Sequence, residues 1–291
     1  TIENYNKSVK VVSAQDQTTY FANIFGVKHL GYSCLATATT TTKKIAGAAM
    51  GFAIYSGNSY PTQPSFSVRL QNVCTLTGLS NVVNGSVHAN YNVDANTSFI
   101  VGTGEAVGTV TGTNIQEKVS GAANVPMPDF SIYKPIIKAE AQAVSGHYYS
   151  GNFSIANASS VNLNSPVYVE GSANLSGISF YGAGCLYAGG KISITGSNTN
   201  YDSTSKICLY SGYTSTSKSD AAIDFSGSSK NFTGMLYAPN GSILVSGSNY
   251  TFSGNIIGRV VDISGSNKTF QSQDISDSFH YATTSAIVLT Q

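Results

Sequence analysis

The sequence predicts a mainly β protein, a parallel β-helix (solenoid) preceded by a small strand-helix-strand segment. Three observations carry that expectation. The decamer "FSGSSKNFTG" at Phe225–Gly234 returns as "VSGSNYTFSG" at Val245–Gly254 and as "ISGSNKTFQS" at Ile263–Ser272, so Gly227, Gly247 and Gly265 stand 20 and then 18 residues apart. Short alternating apolar runs flank the copies, as in "SILVSG" at Ser242–Gly247 and "NIIGRVVDISG" at Asn255–Gly265. Gly, Ser and Asn separate these runs, which is the pattern of strands closed by tight turns. A period near 20 residues means that each unit buries its apolar face on the next. A β-sandwich also has short strands, but has no need of near-identical decamers at this spacing.

From the N-terminus, "SVKVVSAQ" at Ser8–Gln15 alternates as a strand does. "QTTYFANIFGV" at Gln17–Val27 sets Tyr20, Phe21, Ile24 and Phe25 on one helical stripe, ended by Gly26. "LGYSCLATATTTT" at Leu30–Thr42 reads as a Thr-rich strand. These segments define an N-terminal region over residues 1–50, with the solenoid over 51–291. Looser copies of the repeat begin at Leu76, Phe99, Val169 and Ile194. "GTGEAVG" at Gly102–Gly108 reads as a turn within one of them. "NVPMPDFS" at Asn124–Ser131 has two prolines in three residues and is expected to be extended. A short helix over Ile136–Val144 follows, so an excursion around 124–150 separates early from late coils. The loop "YSGYTSTSKSD" at Tyr210–Asp220 swells a later coil. "TSAIVLT" at Thr284–Thr290 ends the chain with an apolar strand, read either as a cover for its own solenoid or as a strand donated to another chain.

Composition narrows the function. Of 291 residues 41% are hydrophobic, enough for a large core, and the net charge is +1. Only 10% are charged, against roughly 25% in an average soluble domain. Nothing here neutralises phosphates, so neither nucleic acid nor an anionic membrane is an expected partner. Ser, Thr, Asn, Gly and 18 Tyr replace the missing charge, a composition associated with cell surfaces and extracellular filaments. No apolar window is long enough to span a bilayer. Thr1 is not an initiator Met, which suggests a processed or trimmed end.

The four cysteines, Cys34, Cys74, Cys185 and Cys208, form no C-x-x-C pair, so disulfides are a better reading than zinc. Cys185 and Cys208 lie 23 residues apart, near one coil, which would stack their sulfurs; Cys34–Cys74 follows by elimination. Buried free thiols are the alternative.

Residues for chemistry are sparse. Fourteen acids are scattered without a D-x-D or E-x-x-E cluster. Asp224 and Asp262 precede two of the SGS turns and are expected to cap turn amides. "DFSGS" and "DISGS" spell D-x-S-x-S, but with one carboxylate per turn they make a poor cation site. His29, His88, His147 and His280 share no metal spacing. No catalytic, cofactor-binding or metal-ligating residue is predicted, and no cofactor. Against this stands a carbohydrate-binding or carbohydrate-cleaving β-helix, in which Tyr148, Tyr149, Tyr181, Tyr187, Tyr210 and Tyr213 would stack on sugar rings. Ice or mineral binding through Thr ranks has less support, because Thr39–Thr42 is consecutive and no T-x-T row recurs.

"VKVVSAQDQTTYFANIFGVKHLGYSCLATATT" resembles the part of TadE/TadG-like Flp-pilus assembly proteins that follows their membrane helix, and "VNGSVHANYNV" and "VPMPDFS" resemble segments of the same group. "GMLYAPNGSILVSGSNYTFSGNIIGRVVDISGSNKTF" at Gly234–Phe270 is similar to the β-helical region of PilX-like minor pilus adhesins. The resemblance implies an extracellular, surface-associated structural protein without catalysis. Its expected partners are copies of itself or other filament subunits, with a surface glycan as a further one. The resemblance begins after that helix, which is expected either to have been removed or to be absent from a released copy.

Overall fold

The structure is a computed structural model. It describes residues 2–5, 8–18, 29–44, 48–57, 68–70, 81–96, 98–156, 160–196, 206–215, 217–273 and 283–290. Two compact units divide the chain: 1–45 together with 283–291, and 46–282.

The first unit is an antiparallel sheet of Ile2–Tyr5, Ser8–Thr18, His29–Lys44 and Thr283–Thr290, in that order. Both expected N-terminal strands are present, paired from Ser8↔Thr39 to Thr18↔His29. The helix expected over Gln17–Val27 lies outside the described residues beyond Thr18. The apolar strand expected over Thr284–Thr290 is present as Thr283–Thr290. It pairs with His29–Lys44 from Thr283↔Lys44 to Thr290↔Thr37, and so joins the two chain ends in one sheet.

The second unit is the solenoid. Its three decamers stack in register: Ser228, Ser248 and Ser266 form one rank, and Phe232, Phe252 and Phe270 another. The Phe rank continues inward through Val83, Ile100 and Ile115. A second wall contributes Phe153, Ala173, Ile192, Ile223, Ile243, Val261, Val93 and Val110 to the same core, with the strand Val68–Leu70 paired in register between those of Val261 and Val93.

The decamer is a corner device. Gly227, Gly247 and Gly265 have φ of +115°, +99° and +98°. A Cβ on Gly247 would stand 1.6 Å from the Gly227 carbonyl oxygen, so only glycine lets these corners stack. Two residues on, Ser229, Asn249 and Asn267 also have positive φ. The next side chain, Lys230, Tyr250 or Lys268, turns inward and is at most 3% exposed. Each donates to the carbonyl four residues back: Lys230 to Ser226, Tyr250 to Ser246 at 2.6 Å and Lys268 to Ser264. That bond satisfies a turn carbonyl that stacking has cut off from water. Burial pulls both lysines down to about 8.

Coil order in space is not coil order in sequence. Ile54–Ser56 stacks on Ile256–Gly258, and Val82–Asn84 on Thr269–Gln271. The rod therefore begins at residue 148, runs to 271, and continues from 54 to 120. One outward rank shows the whole sequence: Tyr148, Tyr168, Tyr187, Tyr210, Tyr237, Ile257, Tyr55, His88, Glu105 and Val119. Nine steps of about 4.8 Å make it roughly 43 Å long.

The excursion must span that length to connect 120 with 148. Residues 121–130 form no helix or strand, the short 3-10 turn Ser131–Tyr133 follows, and then the helix Lys134–Gln142, two residues earlier than expected at each end. Ten residues can reach about 33 Å and a nine-residue helix about 13 Å, which together match the rod. The strap runs back along the aromatic rank step by step. Ala122 N–H donates to Ala106 O at 2.9 Å. Val125 exchanges both backbone bonds with the Asn90 amide, at 3.0 and 2.6 Å, and its carbonyl accepts from Tyr55 Oη at 2.7 Å. Tyr237 Oη donates to Pro128 O, and Phe130 packs on Tyr237 with centroids 4.7 Å apart. Lys134 Nζ lies 5.3 Å from the Tyr187 ring, and Lys138 Nζ lies 5.6 Å from Tyr148 and Tyr168.

Candidate functional site

The strap decides the fate of the proposed sugar platform. Tyr187 and Tyr210 are 4% and 3% exposed beneath it. Tyr148 and Tyr149 are half-buried, Tyr213 donates to Asp220 at 2.8 Å, and of the six only Tyr181 is exposed, alone at the rim. Tyr148, Tyr187 and Tyr210 do align in one rank with Tyr168 and Tyr237, but that rank binds the strap to the rod. Alternation of residues along a strand tells which side chains point outward; it does not tell that another segment covers them.

The cysteines form a neighbouring rank, two residues before Tyr187 and Tyr210. Cys185 and Cys208 are in register on adjacent coils, followed by Met235 and Asn255. Both are buried free thiols, which corrects the expected disulfide. Neighbouring parallel strands hold in-register Cβ atoms about 4.8 Å apart, whereas a disulfide draws them to about 3.8 Å. Burial, and then the hydrogen bond to Cys185, raise the Cys208 thiol well above its ordinary range. Cys34 occupies the strand His29–Lys44, opposite Ser13; Cys74 lies outside the described residues, and so does the expected Cys34–Cys74 pair.

The remaining candidate is a polar cleft of about 450 Å³ on the second wall. The outward rank there reads Ser154, Asn174, Ser193, Asp224, Leu244 and Asp262. Asn174, Ser193, Asp224 and Leu244 form the floor of the cleft, and Asn152, Ser172, Lys191 and Ser219 line its sides. The loop after Tyr210, expected only to swell its coil, supplies one side through Ser219. Lys191 is ion-paired with Asp220 and lies 5.1 Å from the Tyr213 ring. The bond from Lys191 holds the Asp220 carboxyl below its ordinary range. Asp224 behaves oppositely: burial raises it, partly offset by a hydrogen bond with the Ser226 side chain. The Asp224 Oδ1 atom is buried and has no hydrogen-bond partner. A buried acceptor in that state favours a ligand that brings a hydroxyl or amide donor. Asp262 stands in the same rank two coils away. Among the described residues no group of three or more His, Cys, Asp or Glu is placed to hold a metal ion. No described helix is long and apolar enough to cross a membrane. Lys191, Asp220 and their clamp had no motif in the sequence to mark them.

Residues 94–275, more than half of the chain, match the family described as Domain of unknown function (DUF7305). No curated protein matches the chain. Among solved structures, an ice-binding protein from an Antarctic biological consortium is similar over 80% of this chain and 93% of its own, with 14% identity and a TM-score of 0.39. The ice-binding protein LeIBP from an Arctic yeast is similar over 79% and 96%, with 11% identity and a TM-score of 0.37. The ice-binding domain from Shewanella frigidimarina is similar over 81% and 99%, with 12% identity and a TM-score of 0.33. At these values the likeness carries nothing about what this chain binds.

Proposed function

We propose that this chain, which belongs to the DUF7305 family, is a non-enzymatic structural protein of an extracellular surface, a subunit or adhesin of a pilus-like filament that associates by β-strand addition. The observation that carries this reading is the pairing of the chain ends. The C-terminal strand sits at the edge of a sheet otherwise made by the N-terminal strands, in an eight-residue antiparallel register. A strand so far in sequence from its partner makes the same bonds in another copy, which is strand exchange. The low charge and the resemblance to TadE/TadG-like and PilX-like pilus proteins agree with it. Electron microscopy of the purified protein, with and without Thr284–Gln291, tests the reading. Filaments that disappear on deletion support it; single particles in both preparations reject it.

A second reading, supported by the orphaned Asp224 oxygen, is that the polar cleft binds a surface glycan. The second acid beside the cleft, Asp220, is neutralised by Lys191, which favours holding a sugar over cleaving it, since cleavage uses two free carboxyls. Calorimetric titration with neutral oligosaccharides checks this: affinity should fall at least tenfold in Asp224→Ala, and no heat with any sugar ends the idea.

A further inference from the structure

We infer that the solenoid end formed by the strands Tyr148–Tyr149, Phe153–Ala156 and Ser160–Asn162 is a self-docking surface, on which a second copy of this chain seats the same coil about a twofold axis. The inference names a surface for the self-association proposed above and rests on that reading.

The end coil has three strands, Tyr148–Tyr149, Phe153–Ala156 and Ser160–Asn162. Among the described residues each pairs with one strand only, in the coil that follows. Phe153 N–H donates inward along the axis to Ser172 O at 2.8 Å, and Tyr149 O accepts from Glu170 N–H at 2.9 Å. Residues of a strand alternate in the side to which they bond. Tyr148 and Ser154 therefore aim their N–H and C=O groups outward, along the axis.

Natural sheets guard such edges with inward-facing charge or proline. The opposite end of this rod does so. Its strand Ile115–Ser120 carries Glu117 and Lys118, and Lys118 stands in the inward rank after Gly104 and donates to Gly112 O. The end at 148–162 has no charge and no proline across fifteen residues. It offers a plug of half-buried Tyr149, Phe153 and Ile155 packed on the core, with the Tyr149 and Phe153 rings 4.3 Å apart.

Coil size selects the occupant. From Tyr148 to Tyr168 the coil takes 20 residues, whereas from Glu105 to Val119 it takes 14. The narrow, charged end does not match the wide, neutral one, so head-to-tail growth is disfavoured. A twofold pairs the wide end with itself, places apolar plug on apolar plug, and lets the bare edges bond antiparallel. That contact is closed and yields a pair, not a fibre.

Sedimentation velocity on the full chain tests it. The expected result is reversible self-association that persists as a monomer–dimer equilibrium when the strand exchange is removed. Ser154→Pro removes an edge N–H that the fold's own ladder does not use, and Ile155→Lys copies the guard at Lys118. Each should weaken the dimer at least tenfold, and Ser154→Pro should leave the thermal midpoint unchanged, so it decides alone if Ile155→Lys fails to fold. Removal of Thr284–Gln291 should leave this dimer intact. A dimer that survives Ser154→Pro but vanishes on that deletion overturns the end-on surface and leaves self-association standing. A monomer at every concentration overturns both.

Discussion

Replacing Lys268 with Tyr should stabilise the rod near neutral pH and lose most of that advantage in alkali. Lys268 is 1% exposed and donates to Gly247 O and Ser264 O, both at 2.5 Å. Burial depresses it to about 8, while in the unfolded chain it titrates near 10.4. A lysine with a depressed folded value binds its proton more weakly when folded. Stability is therefore lowest below pH 8, where both states are charged, and rises through the window from 8 to about 10.4. The charge costs on the order of 3 kcal/mol at pH 7, and less than about half of that at pH 9.5. Tyr250 fills the equivalent corner one coil away and needs only its hydroxyl, bonded to Ser246 O at 2.6 Å. Tyr at 268 keeps the Ser264 bond and loses the Gly247 bond, which costs about 1 kcal/mol. The net gain is about 2 kcal/mol at pH 7, or a midpoint some 4–8 °C higher. Thermal unfolding followed by circular dichroism at pH 7.0 and 9.5 reads both values. A variant less stable than the parent at pH 7, or a gap that does not shrink by pH 9.5, refutes the reasoning.

Above pH 10 the tyrosine rank takes over. Burial pushes Tyr55 up to about 12, so the unfolded chain ionises first and stability should fall as pH rises past 10, seen as a dropping denaturant midpoint. Tyr237→Phe strips the Pro128 carbonyl of its donor; we expect a loss of about 1–2 kcal/mol and faster proteolysis within residues 121–130, read by mass spectrometry. Gly247→Ala combines a φ of +99° with a Cβ 1.6 Å from a backbone oxygen, and should cost at least about 4 kcal/mol, visible as insoluble expression. Cys185 and Cys208 should resist a thiol reagent at pH 8 until denaturant is added, and then react as two free thiols; a folded protein whose mass shows them oxidised contradicts the stacked-thiol geometry.

Much of the rod is legible in its letters because turn chemistry is local. Gly at positive φ, Asn and Ser beside it, and an apolar residue every second position announce a corner and a strand without help from the rest of the chain. The register of Ser228, Ser248 and Ser266 follows from that alone. What local chemistry cannot encode is which coil neighbours which. Ile54 rests on Ile256 because the strap carries the chain back along the rod, and no periodicity distinguishes that order from a sequential one. The same long-range fact hides Tyr187 and Tyr210, whose alternation reads as outward-facing. Lys230 and Lys268 mislead in the opposite sense: charge suggests solvent, while the carbonyl four residues back draws each amine inside. The Lys191–Asp220 clamp beside Asp224 joins a coil to a loop, and left no mark in either segment.

The displaced stacking order bears on how the chain is born. Synthesis delivers residues 54–120 well before 256–271, the segment they must nucleate upon, so the first coils emerge with no template. About two hundred residues separate Ile54 from its neighbour, a separation that slows folding steeply. Until then the early strands have bare edges, the condition that invites wrong pairing. The late strands, 148–271, stack in sequence and can zip unaided. The last of them then serves as the seed for the oldest part of the polypeptide, so a nascent fragment that stops short of residue 256 should aggregate where the full chain folds.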